Sequence, residues 1–419
     1  MGRSVGRRLA IAIFVDACGW GVVEPRPWFL PGLAERRPVR SLFGYSSACV
    51  PAILTGRPPD ETDHWSSFYY SPDTSPFRPL RHLRTLPSSL FDRGRVRGYL
   101  SKAIAKAYGY TGYFQIYSLP FDILPYFDYA EKRDIFRPGG INKGQSIVDE
   151  LVREGTPHHV SNWRLDERAN FDALTRAIAS RDIAFGLLYA AELDALMHDQ
   201  TKDSPVVDDK LRWYQREIEQ LLASARDSYD EVRCALFSDH GMATVRRVVD
   251  LTPLISATGL RFGEDYVGLY DSTMMRFWFL APRAEERIRA ALADTPEGRW
   301  LRREELEAYG TYWPDGKFGH AIYALEPGVL LNPSHMGNTP PKAMHGYRPD
   351  HPDSDSALLA DFRPDTPIHS ITDLYRLMRE MAAWAVEASP SALDRESRGQ
   401  SGPSNPKSGR SGRRPRTHS

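Results

Sequence analysis

The chain has 419 residues, of which 41% are hydrophobic and 11% aromatic, enough to bury a large core as one domain or as a core with an inserted cap. Lysine plus arginine equals aspartate plus glutamate at 54 each, so no overall excess of charge recruits a polyanion. The three cysteines (Cys18, Cys49 and Cys234) are too few for a disulfide framework in a chain this long.

Arg3, Arg7 and Arg8 followed by "LAIAIFV" imitate a secretory leader, but the apolar run stops at Asp16 and no small-residue cleavage site follows a longer run. It reads as the first core strand, Leu9–Val15. No run approaches the ~20 apolar residues that span a bilayer, and the expectation is a soluble cytoplasmic protein. "SACVPAILTG" has the apolar content of a short helix. Ser66 to Arg137 is irregular and dense in Tyr, Phe and Pro; its aromatics suit either packing or the lining of a cleft. Ile183–Ala190, Val232–Phe237 and Leu358–Phe362 join Leu9–Val15 as buried parallel strands, aliphatic and without clean alternation, as expected where helices cover both faces. Leu211–Ala225 carries Leu211, Trp213, Ile218, Leu221 and Leu222 at roughly the period of one helical face. The last helix starts near Thr372 and Asp373, both capping types, and runs through "LYRLMREMAAWAVE".

Residues 251–340 break this rhythm. "STMMRFWFLA" reads as a strand, "RAEERIRAALAD" as an amphipathic helix, and "HAIYALEPGVLLNP" as two strands around a turn. The expected architecture is α/β: a doubly wound, mostly parallel sheet formed by residues 1–250 and 341–388, with an α+β cap insertion at 251–340. Residues 389–419 are expected to form a disordered basic tail. Its stretch 395–419 holds seven basic residues against Glu396 and is rich in Ser, Gly and Pro, so it cannot bury enough apolar surface to fold. A solvated tail, not a nucleic-acid-binding arm, is the expectation.

Four motifs carry the chemistry. "FVDACGWG" places Asp16 directly after the first strand; "ELDALMH" holds Asp194 and His198; "SDHGM" holds Asp239 and His240; "MHGY" holds His345. Each has a plain structural reading, as a helix cap, a turn or a surface histidine. Together they put three carboxylates beyond the carboxyl ends of strands, where α/β sheets bind ligands. Carboxylate oxygen and imidazole nitrogen are usual ligands of divalent metals. A fifth segment, "GYSSACVPAILTG", offers Ser46 or Ser47 as a nucleophile, and a helix N-terminus that could face an anion.

In this order the motifs resemble the alkaline phosphatase superfamily, and within it the type I phosphodiesterase/nucleotide pyrophosphatase branch. That branch places an aspartate after the first strand, then a nucleophilic Thr or Ser nine residues before a "TG" pair. D-x-x-x-H, "SDHGM" and "HGY" follow. Thr55–Gly56 is the "TG" pair here, and the spacing favours Ser46 over Ser47 as the nucleophile. The resemblance implies that one metal is held by Asp16, Asp239, His240 and Ser46, and a second by Asp194, His198 and His345. The ions are expected to be zinc, with manganese and iron as alternatives. The implied function is hydrolysis of a small-molecule phosphate ester by a phosphodiesterase or pyrophosphatase through a phosphoseryl intermediate. Transfer to an acceptor other than water, or a silent binding protein on the same fold, are the rivals. Cys49 stands where many nucleotide pyrophosphatases carry an asparagine, which weakens nucleotide-pyrophosphate cleavage relative to the broader class. His158 and His159 read as a loop pair, and Arg57 and Lys342 as solvated cations.

Overall fold

Leu9, Ile11, Ile13 and Val15 alternate with Ala10, Ala12 and Phe14, and all seven are buried. Successive side chains leave opposite sides of a pleated strand, so a run buried on both sides belongs at the centre of a covered sheet. The computed structural model, which describes residues 7–85 and 94–387, puts it there. β1 (Arg8–Val15) joins β2 (Glu35–Val39), β3 (His158–Val160), β4 (Phe185–Ala190), β5 (Glu231–Phe237) and β6 (Ser356–Ala360) in the order β2-β6-β5-β1-β4-β3. Arg3 and the basic tail lie outside the described residues.

The strands β3, β4, β1 and β5 are parallel, so the sheet is mostly parallel as expected. Leu358–Phe362 is a correction: the strand spans Ser356–Ala360 and runs antiparallel to both β5 and β2. A parallel strand needs a crossover of a dozen or more residues, usually a helix. The stretch after His345 supplies only a short 3₁₀ turn, Pro352–Ser354, so the chain re-enters from the carboxyl edge and runs back. His158 and His159 are a second correction. They form edge strand β3, paired in register with Phe185 and Gly186, and its brevity and polarity hid it from any periodicity test.

The helices that cover the sheet are, in chain order, α1 (Ser46–Thr55), α2 (Ile147–Glu154), α3 (Glu167–Ser180), α4 (Glu192–Asp199), α5 (Pro205–Ser228) and α6 (Asp373–Glu387). The odd residues of β1 pack with α3, α4 and α5. The even residues pack with α1, α2 and α6. Truncating a central residue such as Ile13 to alanine would cost about 2–5 kcal/mol, lost transfer energy plus the cavity left behind. The helix α5 outruns its sequence estimate because Ser204 caps it, accepting the Val206 N–H, and Pro205 suits its first turn. No described helix is long and apolar enough to cross a membrane.

Residues 251–340 build a four-stranded antiparallel sheet from Tyr266–Tyr270, Met274–Phe279, Ala321–Leu325 and Gly298–Trp300. The two strands of "HAIYALEPGVLLNP" form but do not pair with each other. Val329–Leu331 instead lies parallel to Arg247–Val249. The stretch from Ser66 to Arg137 is less irregular than expected, since it contains a helix at Gly94–Tyr108. Its Phe68, Phe77, Phe127 and Tyr129 share a cluster with Val267, Leu269 and Trp278. Arg276 ties the two together: buried against Asp271 at 2.8 Å, it also donates to Ser66 Oγ and the Phe68 carbonyl.

Candidate metal centre

The parallel strands aim their carboxyl ends at one edge, and the motif residues gather there. Asp16 directly follows β1, and Asp239 follows β5 with Ser238 between. Asp194 lies in the first turn of α4, with His198 one helical turn later on the same face. His345 follows the two-residue strand Ala343–Met344, which pairs antiparallel with Ala243–Thr244 just beyond "SDHGM". The glycine of that motif is forced by packing, since a Cβ on Gly241 would sit 2.3 Å from the Asp353 carbonyl oxygen. Gly346 has φ +89, and its Cβ would meet the Tyr45 ring at 2.5 Å, so the "HGY" segment also needs glycine.

Two triads result, Asp16–Asp239–His240 and Asp194–His198–His345, each with its ligand atoms within 4.8 Å of one another. His240 Nε2 lies 3.1 Å from Asp239 Oδ2 and 3.6 Å from Asp16 Oδ1. Asp194 lies 3.3 Å from His198 Nε2 and 3.5 Å from His345 Nε2. The triads adjoin, because the His240 and His345 rings stack at 3.7 Å. All six predicted ligand side chains thus share one site, and Ser46 joins them with Oγ 3.0 Å from His240 Nε2. Ser47 turns away and donates to the Trp65 carbonyl at 2.9 Å.

The donor set fits divalent cations. Asp16 and Asp239 are buried, and no lysine or arginine pairs with Asp16, Asp194 or Asp239 among the described residues. Asp16 Oδ1, Asp194 Oδ1, Asp239 Oδ2 and His345 Nδ1 have no hydrogen-bond partner. Uncompensated buried carboxylates cost several kcal/mol each in desolvation, which positive charge at the centre would offset. The histidines are pre-set for ligation. A carbonyl can only accept, so Nδ1–H of His198 donates to Ala343 and Nδ1–H of His240 to Gly241, which turns each Nε2 toward the centre.

The protonation pattern has the same origin. Burial first, then the charges of Asp239 and Asp194, push the Asp16 carboxyl well above its usual range. Burial pushes the His240 imidazole down, but Asp239, Asp16 and Asp194 outweigh it and lift it to about 10. His345 is held well below its usual value by burial and by the neighbouring His240 and His198. The carboxylates therefore draw positive charge inward.

Sequence reasoning missed Tyr189, whose hydroxyl donates to Asp16 Oδ2 at 2.6 Å. It also missed Ser41, which holds the Asp239 carbonyl at 2.6 Å. Nothing in their own motifs marks either residue; only the pairing of β4 with β1 brings Tyr189 close. Cys49 is a buried small residue, 3.6 Å from Ser41 Oγ, with its thiol pushed up by burial. Arg57, Lys342, His158 and His159 do not line the cavity beside the centre, which has a volume of about 560 Å³.

A mostly parallel α/β sheet carrying two Asp/His triads and a serine at one edge defines an alkaline phosphatase-like phosphoryl hydrolase. The family model for type I phosphodiesterase/nucleotide pyrophosphatase matches residues 13–348, and the chain belongs to that family of phosphoric ester hydrolases. No curated protein sequence matches it, but solved structures do. It is similar to murine ectonucleotide pyrophosphatase/phosphodiesterase 5 (TM-score 0.63, 16% identity, 90% of this chain and 95% of that one). An inactive form of that murine protein in complex with AMP aligns at TM-score 0.62 with 16% identity over the same shares. Phosphonoacetate hydrolase from Sinorhizobium meliloti 1021, in complex with phosphonoacetate, aligns at TM-score 0.60 and 13% identity, covering 90% of this chain and 96% of that one. At these identities the likeness is one of fold.

Proposed function

We propose that the chain is a two-metal-dependent phosphodiesterase that works through a phosphoseryl intermediate on Ser46. Asp16, Asp239, His240 and Ser46 would hold one divalent ion and Asp194, His198 and His345 the other, zinc being the first expectation and manganese or iron the alternatives. Bound there, the pair would supply the positive charge that neutralises phosphoryl oxygens and eases ionisation of coordinated oxygen. The observation that carries the proposal is the orientation of the two serines: Ser46 Oγ points to His240 Nε2 and the triads, Ser47 Oγ to the Trp65 carbonyl.

In the proposed reaction the Ser46 hydroxyl loses its proton and its oxygen attacks phosphorus opposite the leaving alcohol. The bond from phosphorus to that alcohol breaks, and the alcohol takes up a proton. Water then attacks the phosphoseryl group, the Ser46–phosphorus bond breaks, and Ser46 recovers its proton. Amides at the start of α1 offer N–H donors to the anion. The core would be residues 1–250 and 341–388, with the 251–340 cap and the aromatic segment packed against it forming the substrate wall.

Metal content by plasma mass spectrometry and turnover of bis-p-nitrophenyl phosphate test this together. The expected result is about two metals per chain, turnover abolished by chelation, and a roughly thousandfold or greater loss in Ser46→Ala. Undiminished turnover in Ser46→Ala, or by metal-free protein, would sink the proposal.

A further inference from the structure

The two triads rest on supports of different strength. Asp16, Asp239 and His240 follow the ends of the central strands β1 and β5 and are at most 4% exposed. Asp194 and His198 ride instead on α4, a helix of eight residues, and their side chains are a fifth to a quarter exposed. A helix this short does not hold itself together in water, so contacts from outside must fix where its two ligands point. Leu193 and Met197 bury one face of α4 in the core. At its C-terminal end the Lys342 N–H donates to the His198 carbonyl at 2.8 Å, tying that turn to the segment that leads to His345. The N-terminal end has no cap of its own, because Ala191 occupies the capping position and offers no side-chain acceptor.

The acceptor comes from a different helix. The buried carboxylate of Glu167, the first residue of α3, accepts the Glu192 N–H at 2.7 Å. It also accepts the Tyr214 hydroxyl at 2.6 Å and the Lys210 ammonium at 2.7 Å, both from α5. Lys210 closes the network with a second 2.7 Å bond to the Glu192 carboxylate. The helix α3 does not need Glu167 for its own start, since Asp166 caps it by accepting the Ala169 N–H at 2.7 Å. We propose that Glu167 is a positioning residue for the second metal: by capping α4 from α3 it fixes the direction of Asp194 and His198, and so sets the affinity of the Asp194–His198–His345 triad without touching that of Asp16–Asp239–His240. This rests on the two-metal reading of the triads.

Zinc affinity, measured by competition with a chromogenic chelator, tests it one site at a time. Asp239→Asn leaves the second triad intact, and Asp194→Asn leaves the first. Adding Glu167→Ala should weaken zinc binding about 10–100-fold in the Asp239→Asn background and by less than about twofold in the Asp194→Asn background. Glu167→Gln, whose amide oxygen can still accept the Glu192 N–H, should restore most of the affinity that Glu167→Ala removes. Equal weakening in both backgrounds would make Glu167 a general structural residue and overturn the proposal, as would no weakening in either. Hydrogen exchange in metal-free protein reads the cap without zinc: Glu167→Ala should speed exchange of the α4 amides about tenfold, with those of β1 and β5 unchanged. Unchanged α4 exchange overturns the proposal while leaving the two-metal reading in place. No zinc uptake by the wild-type chain would instead overturn that reading, on which the proposal depends.

Discussion

Replacing Tyr189 by phenylalanine removes one oxygen and little else. The ring keeps its contacts with Phe14 at 5.0 Å and Phe136 at 4.9 Å. What is lost is the 2.6 Å donation to Asp16 Oδ2. Burial and the adjacent Asp16 raise the phenol well above its usual range, so Tyr189 remains a proton donor throughout the accessible pH range. A hydrogen bond to a charged group contributes about 1.5–3 kcal/mol, which corresponds to about 10- to 150-fold in an equilibrium constant. Removing the partner that orients a metal ligand typically weakens metal binding by about 10–100-fold. The two estimates overlap. Tyr189→Phe should therefore bind metal roughly 10–100-fold more weakly in competition with a chromogenic chelator, with turnover restored by excess metal. Affinity within about twofold of wild type, in a variant of unchanged thermal stability, would refute the role given to Tyr189 and to Asp16 as a ligand.

Three further outcomes follow from the geometry. Ser47→Ala should keep kcat/KM within about threefold while lowering stability by ~1 kcal/mol, the usual contribution of one neutral hydrogen bond; a loss as large as that of Ser46→Ala would transfer the nucleophile to Ser47. Glu131, which lines the cavity and whose carboxyl burial raises from 4.5 to about 8, holds a proton in the folded chain that the unfolded chain has released. Its contribution to stability therefore falls as pH rises through that window, and the melting-temperature advantage of Glu131→Gln should grow from about pH 4.5 to about 8; a pH-independent difference would contradict it. Arg276→Met leaves Asp271 buried without its 2.8 Å partner and frees Ser66 from the cap, which should cost about 3–5 kcal/mol in denaturant unfolding. A loss under about 1 kcal/mol would show that Arg276 does not join the aromatic segment to the cap.

The parts of the fold legible in the sequence are those where burial leaves a long apolar run. Leu9–Val15 is buried throughout and Val232–Phe237 from Cys234 onward, and both read as strands. His158–Val160 is short, polar and at the sheet edge, so its pairing depends on β4 and not on its own pattern. The direction of Ser356–Ala360 was equally invisible, because apolarity carries no sign; the missing crossover decides it. The triads were legible because ligand chemistry restricts residue types and the strand ends restrict their positions. Tyr189 and Glu167 were not, since a tyrosine in a strand and a glutamate in the first turn of a helix have ordinary structural uses. Only the assembled fold brings each to the group it holds.

The central claim is that Ser46 carries the phosphoryl group. Acid quenching during turnover of bis-p-nitrophenyl phosphate, followed by peptide mass spectrometry, reads it directly. The account predicts a nitrophenylphosphoryl group on Ser46 that is absent from Ser46→Ala and from chelated protein. The same adduct on Ser47, or rapid turnover by Ser46→Ala, would contradict it.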